Sequence, residues 1–266
     1  MPVKVHKYGG TSVADPERIK SVAQRLCQAQ DEGFQVVAVV SAMGDATDRL
    51  LKMAHEIAAE PPERELDMLI STGEQVSVAL LAMAIHELGH TAISFSGPQA
   101  GILTDTSHTK ARIVGIRTER LTEALDGGNI ALVAGFQGIS PDEDVTTLGR
   151  GGSDTTAVAL AAALAADECE IYTDVNGVYT ADPNIATGAQ KLDAVSYGEM
   201  LEMAATGAEV LMLRSVEYAQ KYGVPLHVRS SFTGKPGTWV REEDETMEKA
   251  VVSAVTHTTD ESKLTL

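Results

Sequence analysis

The residues best suited to phosphate chemistry begin with a lysine and two glycines near the start of the chain. Lys7 is followed by Tyr8 and by the adjacent pair Gly9 and Gly10. Adjacent glycines let backbone N–H groups approach phosphate oxygens closely, and an ammonium group neutralises the charge on those oxygens during phosphoryl transfer. The segment therefore predicts a phosphate cradle. The alternative is a tight turn that needs glycine, with Lys7 exposed to solvent.

A second glycine-rich loop, Gly149–Asp154, surrounds Arg150 and precedes an apolar helical pattern. The N-terminus of a helix binds anions, because its free N–H groups and the helix dipole point at the same spot. Arg150 could bind a carboxylate or phosphate through two hydrogen bonds. The alternative is that Ser153 or Asp154 only caps the helix. Since neither loop fits the P-loop or dinucleotide patterns, we expect a different phosphate-binding design.

Three further segments place polar residues at the ends of predicted elements. Ser41–Asp48 connects a strand to a helix and offers hydroxyl groups. Glu74 lies at the start of a long apolar helix and could face a ligand ammonium, whereas the alternative is that Thr72 and Glu74 cap the helix. Tyr172–Pro183 leaves a strand through Asn-Gly into a polar loop, and its alternative is an ordinary turn.

The segment His86–His90 matches the zinc-binding pattern H-E-x-x-H. In that pattern both histidines lie on one face of a continuous helix. Gly89 is expected to end the helix before His90, and no third ligand follows at a recognised spacing. We therefore expect no metal site in this segment.

Short β-rich runs alternate with longer helical patterns, which indicates an α/β fold with a mainly parallel sheet covered by helices. The predicted strands are Val3–Tyr8, Gln35–Ser41, Thr91–Phe95, Ile130–Phe136, Cys169–Val175 and Leu226–Ser230. The predicted helices run from an Asp15 N-cap to near Gly33, and over Ala46–Ala59, Gly73–Leu88 and Asp154–Ala166. Open α/β sheets bind ligands at the carboxyl ends of their strands, where the polar segments above lie.

The composition limits the partners of the chain. With 266 residues and 44% hydrophobic content, the chain can form a large core, and we expect two lobes around one cleft. A net charge of −17 opposes binding to nucleic acid and to anionic membranes. No apolar stretch is expected to reach the ~18 residues of a membrane span. Two cysteines, Cys27 and Cys169, fit buried thiols in a soluble protein of a reducing cytoplasm.

With these segments in this order, the chain resembles the aspartate kinases of the amino acid kinase family along nearly its whole length. The family patterns and their places in this chain are K-[FY]-G-G-[TS]-S at Lys7–Ser12, S-A-M-G at Ser41–Gly44, T-G-E at Thr72–Glu74, F-Q-G at Phe136–Gly138, T-L-G-R-G-G-S-D at Thr147–Asp154 and Y-[TS]-D-V-x-G-[VI]-[YF]-T-A-D-P at Tyr172–Pro183. The resemblance implies a three-layer αβα fold. The chain further resembles the branch of the family whose enzymes pair a long chain with a shorter regulatory chain.

The resemblance implies a role for each matching residue in the transfer of the ATP γ-phosphoryl group to the side-chain carboxylate of L-aspartate. Lys7 would act on the transferring phosphoryl group, and Asp154 would orient Lys7. The acceptor aspartate would be bound by Arg150, Ser153, Glu74, Ser41 and Thr47, with Gly151 and Gly152 beside them. The ATP site would comprise Lys7, Tyr8, Gly9, Gly10, Ser41, Thr173, Asp174, Tyr179, Asp182, Glu209 and Val210. Mg²⁺ would be held mainly through the phosphates, with no protein metal ligand assigned.

Two residues depart from the family pattern on the nucleotide side. Glu209 stands where relatives usually have lysine, and reversing that charge beside an anionic ligand is expected to weaken or alter binding. Asn184 follows Pro183 where arginine is common. The nucleotide contacts are therefore less securely assigned than the phosphoryl-transfer centre.

The chemistry itself needs no general base, because a carboxylate nucleophile with a reference pKa of about 3.9 is ionised at neutral pH. Catalysis would consist of positioning and charge stabilisation. The alternatives are another member of the same fold, such as a uridylate, glutamate 5- or acetylglutamate kinase, and a non-catalytic subunit. A homodimer is the default expectation for the assembly.

We expect residues 1–250 to form the catalytic domain, with about 1–166 as the substrate lobe and about 167–250 as the nucleotide lobe. Residues 251–266 resemble the first strand residues of an ACT module, which in relatives binds feedback amino acids. We therefore expect this chain to lack inhibition by lysine plus threonine.

Overall fold

The computed structural model describes residues 1–208, 210–243 and 254–256. The strands are β1 (Val3–Tyr8), β2 (Gln35–Val40), β3 (Ala92–Phe95), β4 (Ile102–Thr104), β5 (Ile113–Ile116), β6 (Ile130–Ala134), β7 (Gln137–Ile139), β8 (Val145–Thr147), β9 (Glu168–Thr173), β10 (Ala194–Ser196), β11 (Leu226–Ser230) and β12 (Thr238–Arg241). The helices are α1 (Pro16–Asp31), α2 (Ala46–Ile57), α3 (Glu63–Ile70), α4 (Thr72–Glu87), α5 (Glu119–Asp126), α6 (Gly152–Ala163), α7 (Tyr197–Ala205) and α8 (Leu213–Tyr222), with a 3-10 turn at Gly10–Val13.

The main sheet has eight strands in the order β10-β12-β11-β9-β1-β2-β6-β3. All neighbouring pairs are parallel except β11 with β12. One apolar layer joins the sheet to α1 and α4 through residues such as Leu26, Ala38 and Leu81. The other joins it to α5, α6, α7 and α8 through residues such as Val133 and Leu160. The predicted three-layer α/β fold with a mainly parallel sheet is confirmed.

A second, four-stranded sheet in the order β5-β4-β7-β8 was not predicted. Its strands have only three or four residues, and several of their side chains are buried threonines, including Thr104, Thr146 and Thr147. Strands this short and polar give no alternating apolar signal in the sequence. Their formation depends on pairing with the partner strands.

The predicted starts and ends of elements are confirmed to within a few residues. The Asp15 carboxylate accepts a hydrogen bond from the Arg18 N–H at 2.9 Å, and Pro16 is the first residue of α1, as expected. The strand predicted to continue to Phe136 ends at Ala134. Phe136 has a φ of 69°, so the backbone turns away from the extended conformation there.

The expectation that no apolar stretch is long enough to span a membrane was wrong. The helical run Glu63–Glu87, formed by α3 and α4, is long and apolar enough to cross a membrane, by length and composition only. In the folded chain, however, α4 packs Val78, Leu81 and Ile85 against the sheet and α1, as a core helix does.

The proposed lobe boundary near residue 166 divides a continuous sheet, because β1 pairs with β9. The division into two lobes therefore stays a prediction. Most of the segment 251–266 lies outside the described residues, and 254–256 has no regular secondary structure.

Candidate active site

The crevice at the carboxyl ends of β1 and β2 contains a cavity of about 290 Å³, here called the first cavity. It brings together two predicted groups of residues that lie far apart in the sequence. The predicted residues that line it are Lys7, Gly9, Gly10, Ser41, Thr47, Glu74, Arg150, Gly151, Gly152, Ser153 and Asp154. The two glycine-rich loops therefore face one crevice.

A lysine and an aspartate form the charged centre of this cavity. Lys7 Nζ lies 2.6 Å from Asp154 Oδ1, and the two side chains are 13% and 11% exposed. Lys7 is supplied by the carboxyl end of strand β1 and Asp154 by the first turn of α6. A Cβ at Gly9 would lie 3.5 Å from Lys7 Nζ, so the absence of a side chain at Gly9 leaves the ammonium accessible from that side. The arrangement fixes one cation on the wall of the open cavity.

The turns after β1 and β2 are locked to each other. The Ser41 N–H donates to the Tyr8 carbonyl at 3.0 Å, and the Gly44 N–H donates to the Gly10 carbonyl at 3.1 Å. A Cβ at Gly10 would come within 2.9 Å of the Ala42 carbonyl oxygen, closer than real Cβ atoms come. Glycine at position 10 is thus required by this close approach.

Glu74 brings a buried carboxylate to the same cavity from the first turn of α4. It is 3% exposed, and its Oε1 accepts the Ala42 N–H at 3.3 Å. Its Oε2 has no hydrogen-bond partner among the described residues. Burial raises the pKa of Glu74 to about 7, despite the lowering effect of backbone hydrogen bonds. A cationic ligand group would relieve this cost, whereas helix capping does not explain it, because no side-chain cap bond is present at the start of α4.

Neither Ser153 nor Asp154 caps α6, so the alternative interpretation of this loop does not hold. The helix begins at Gly152, so Ser153 and Asp154 lie inside its first turn, and the N-cap is Gly151, which makes no side-chain cap bond. Gly149 and Gly151 have φ angles of 74° and 71°, a conformation that favours glycine. The two side chains are thereby free to face the cavity, and Arg150 lies exposed at its rim.

A second cavity lies beside the first, beyond the carboxyl end of β9. The two are connected through the backbone, because the Gly9 N–H donates to the Tyr172 carbonyl at 3.4 Å and Thr173 lines the second cavity. The predicted nucleotide residues that line it are Thr173, Asp174, Tyr179, Asp182 and Val210. Asn184 also lines it, and Glu209 lies outside the described residues.

Tyr8 is the predicted site residue that the structure does not place in either cavity. It is fully buried, and its ring stacks on that of Tyr172 with centroids 4.8 Å apart. Because successive strand residues point to opposite faces, Lys7 and Tyr8 cannot both face the crevice. Any contact of Tyr8 with a ligand would involve its backbone.

Sequence reasoning missed Phe136 as a lining residue of the first cavity. Its φ of 69° is rare outside glycine, and its N–H donates to Thr156 Oγ1 at 3.2 Å. The motif Phe136–Gly138 was noticed, but the strained backbone that aims the ring could not be inferred from it. Apolar residues Val178, Met203 and Ala208 of the second cavity were also missed.

The histidines of the H-E-x-x-H segment have separate partners. The helix ends at Glu87, and Gly89 has a φ of 83°. His86 Nε2 lies 3.1 Å from the Ala92 carbonyl, and His90 Nδ1 lies 2.9 Å from Gln30 Oε1. Gly89 thus follows the end of the helix, as expected, and each ring has its own hydrogen-bond partner.

Comparison with known proteins gives consistent results. The model of the amino acid kinase family matches residues 2–230. The aspartokinase of Mycolicibacterium smegmatis is 58% identical over 269 aligned positions, which include 100% of this chain and 64% of that protein. The chain thus spans less than two thirds of the length of this relative.

Solved structures agree with the fold described above. The crystal structure of aspartate kinase from Synechocystis superposes with a TM-score of 0.81 at 48% identity, covering 94% of this chain and 41% of that chain. E. coli aspartokinase III in complex with aspartate and ADP also gives a TM-score of 0.81, at 27% identity, covering 92% of this chain and 65% of that chain. With its fold, its crevice and its sequence in agreement, the chain belongs to the amino acid kinase family.

Proposed function

We propose that this chain is the catalytic part of an aspartate kinase, which transfers the γ-phosphoryl group of ATP to the β-carboxylate of L-aspartate. The products are 4-phospho-L-aspartate and ADP, in the first step toward lysine, threonine and methionine. The observation that carries the proposal is one crevice that combines the Lys7–Asp154 pair with Glu74 and Arg150. The similarity to proteins called aspartokinases supports it.

The acceptor is bound by opposite charges that match a zwitterionic amino acid. Arg150 and Ser153 hold the α-carboxylate, and Glu74 binds the α-ammonium. A ligand ammonium beside Glu74 replaces the solvation that burial removed, which favours the ionised carboxylate. Ser41 and Thr47, which line the same cavity, provide hydroxyl groups beside the acceptor. The side-chain carboxylate then points toward Lys7.

The phosphoryl transfer depends on positioning and charge. The aspartate β-carboxylate is ionised at neutral pH and attacks the γ-phosphorus without a general base. Lys7 stabilises the negative charge that develops on the transferring group, and Asp154 keeps the ammonium in place through the 2.6 Å ion pair. Gly9 and Gly10, which follow β1, allow backbone N–H groups to approach the phosphates.

The nucleotide occupies the second cavity, with its phosphates directed toward Gly9 and Lys7. Thr173, Asp174 and Tyr179 bind its base and ribose, and Val210 packs beside them. Mg²⁺ prefers oxygen ligands, and an ion carried in mainly by the phosphates would find the carboxylate of Asp182 on the wall of this cavity. When bound, that ion neutralises charge on the phosphate oxygens.

The setting we propose is the cytoplasm, with both cysteines as the buried free thiols that the structure contains. The assembly we propose is a homodimer, joined by a regulatory chain in a longer form of the protein. An exposed apolar stripe on α4, formed by Val76, Leu80 and Met83, supports self-association. Sedimentation velocity of the purified chain tests this part.

Hydroxylamine trapping tests the reaction. With ATP, Mg²⁺ and L-aspartate, the protein should produce aspartyl hydroxamate and ADP. Glutamate, acetylglutamate and UMP serve as alternative acceptors, and Arg150→Ala serves as the control for acceptor binding. Phosphorylation of one of those acceptors in preference to aspartate would favour another member of the family. No turnover of any acceptor by folded protein would favour a non-catalytic subunit.

A further inference from the structure

The loop that carries Arg150 is fixed at its two ends, where the Leu148 N–H donates to the Phe136 carbonyl at 2.9 Å and the Gly152 N–H donates to the Gly149 carbonyl at 3.0 Å. Its residues Leu148–Gly151 connect β8 to α6, and both of its glycines have left-handed φ angles. Between the two ends, Arg150 is exposed. Because ordering a glycine-rich loop costs conformational entropy, contacts from elsewhere must hold it in one conformation.

Arg214 makes such contacts from the first turn of α8. It donates from Nη1 to the Leu148 carbonyl at 3.1 Å and from Nη2 to the Ala111 carbonyl at 3.0 Å. The Ala111 N–H in turn donates to the Thr147 carbonyl at 2.8 Å. One guanidinium thus connects two neighbouring segments through two donors of fixed geometry. A lysine has a flexible point charge and reproduces this arrangement only in part.

The residue that precedes α8 touches the same loop. A Cβ at Gly151 would overlap the side chain of Met212, so the Gly151 backbone lies directly against that side chain. Only Leu211 separates Met212 from Val210, which lines the second cavity. The start of α8 therefore supports the loop next to one cavity while its own chain forms the wall of the other.

We propose that Arg214 is a positioning residue that holds Arg150 in place for the acceptor carboxylate, an inference that rests on the proposed function. Arg214 is not among the residues that line either cavity, so it acts through the Leu148 carbonyl, two positions before Arg150. Without it the loop moves, while the Lys7–Asp154 pair and the second cavity keep their shape. Misplacing a binding group by about 1 Å can cost on the order of 10²-fold in rate.

The same helix offers a matched control. Tyr218, one turn after Arg214, donates from its hydroxyl to the Ile113 carbonyl at 3.2 Å. It therefore connects α8 to the segment that contains Ala111 but not to the Arg150 loop. Tyr218→Phe removes a hydrogen bond between α8 and the segment next to Ala111, and it leaves the contact with Leu148 in place.

Steady-state kinetics of Arg214→Gln, Arg214→Lys and Tyr218→Phe test the inference. We expect Arg214→Gln to raise the KM for aspartate by about tenfold or more and the KM for ATP by less than about twofold. Arg214→Lys should be intermediate, and Tyr218→Phe should match the wild type. An unchanged KM for aspartate in Arg214→Gln, an equal rise in both KM values, or the same change in Tyr218→Phe would overturn the inference.

Trypsin cleavage after Arg150 provides a readout that does not depend on activity. The rate of that cut, mapped by mass spectrometry on folded protein, should rise in Arg214→Gln and stay at the wild-type value in Tyr218→Phe. If Arg214→Gln fails to fold, the partial effect of Arg214→Lys carries the test. A wild type that lacks aspartate kinase activity refutes the proposed function, whereas an unchanged cleavage rate in the folded Arg214 variants refutes the positioning role.

Discussion

Two buried glutamates, Glu74 and Glu170, differ in how many hydrogen-bond donors surround their carboxylates. Glu74, in the first cavity, has one hydrogen bond to a backbone N–H and one oxygen without a partner among the described residues. Glu170, on β9, is 2% exposed and accepts the Tyr172 hydroxyl at 2.7 Å and Arg229 Nη1 at 2.8 Å. Both are withdrawn from water, but only Glu170 has its full set of donors.

The pKa values of the two groups follow from this difference. Burial raises the pKa of Glu74 to about 7. Burial would also raise that of Glu170, but His227, His6, Tyr172 and Arg229 together hold its pKa well below the ordinary value. Glu170 therefore has its hydrogen-bond partners within the protein. Oε2 of Glu74, by contrast, has none among the described residues and is available to a ligand.

The same contrast bears on a possible metal site. Ligand atoms of Glu168, Glu170 and His227 lie within 4.8 Å of one another. Lys4 Nζ already lies 2.7 Å from Glu168 Oε1, and Arg229 is bonded to Glu170. Since a metal ion would have to displace these cations, the cluster is better explained as an internal ion-pair network.

The largest effect should come from Lys7, whose strand also supplies a control. Removing one preorganised electrostatic donor costs roughly 10²–10³ in turnover, so Lys7→Ala should lower kcat by that factor while the protein stays folded. Lys4→Ala, on the same strand but in the Glu170 cluster, should keep kcat within about threefold of the wild type. Near-normal kcat in Lys7→Ala, by a coupled ADP assay, would refute the role of Lys7.

Glu74→Gln should separate binding from stability. If Glu74 binds the α-ammonium as proposed, its loss should raise the KM for aspartate by roughly 10- to 100-fold. Because folding raises the pKa of Glu74, the wild-type protein loses stability as the pH rises from the unfolded pKa to the folded pKa of about 7. Gln does not ionise, so the variant should be more stable than the wild type above pH 7. The gain is at most about 3 kcal/mol, at about 1.36 kcal/mol per pKa unit. Urea unfolding at about pH 5 and about pH 8 measures it, and a loss of stability at the higher pH would contradict the interpretation.

Glu170→Gln should have the opposite result. The hydrogen bonds to a charged acceptor are weakened, so the free energy of unfolding should fall by about 2 kcal/mol at neutral pH. Because the lowered pKa of Glu170 stabilises the fold above the unfolded value, this difference should shrink as the pH falls below about 4. Both KM values should change by less than about twofold, and a selective rise in the KM for aspartate would break the comparison.

The sequence predicts the parts of this molecule that local chemistry determines. Asp15 and Pro16 start α1 as their types require, and Lys7, Gly9 and Gly10 lie where a strand turns into a helix. The meeting of the two glycine-rich loops was inferred from a family resemblance. The structure supplies its physical basis, which is the pairing of β1 with β2 and β9 and the packing of α6 against β1.

What could not be predicted depends on contacts between distant segments. The short strands of the second sheet form only with their partners, and α6 begins two residues earlier than predicted, directly after Gly151 in a left-handed conformation. Arg214 belongs to no local pattern, so its hold on the Leu148 carbonyl becomes visible only in the folded chain. The open oxygen of Glu74 likewise depends on burial, which the residue type alone does not reveal.

The smallest expected effect is the pH dependence that Glu74 imposes on acceptor binding. With a pKa of about 7, about a tenth of the free enzyme carries an ionised Glu74 at pH 6 and about nine tenths at pH 8. The α-ammonium and both carboxylates of aspartate keep their charges over that range. The KM for aspartate should therefore fall by up to about tenfold from pH 6 to pH 8, while Glu74→Gln should remove that slope. A slope that persists in Glu74→Gln would assign the titration to another group and remove the contrast with Glu170.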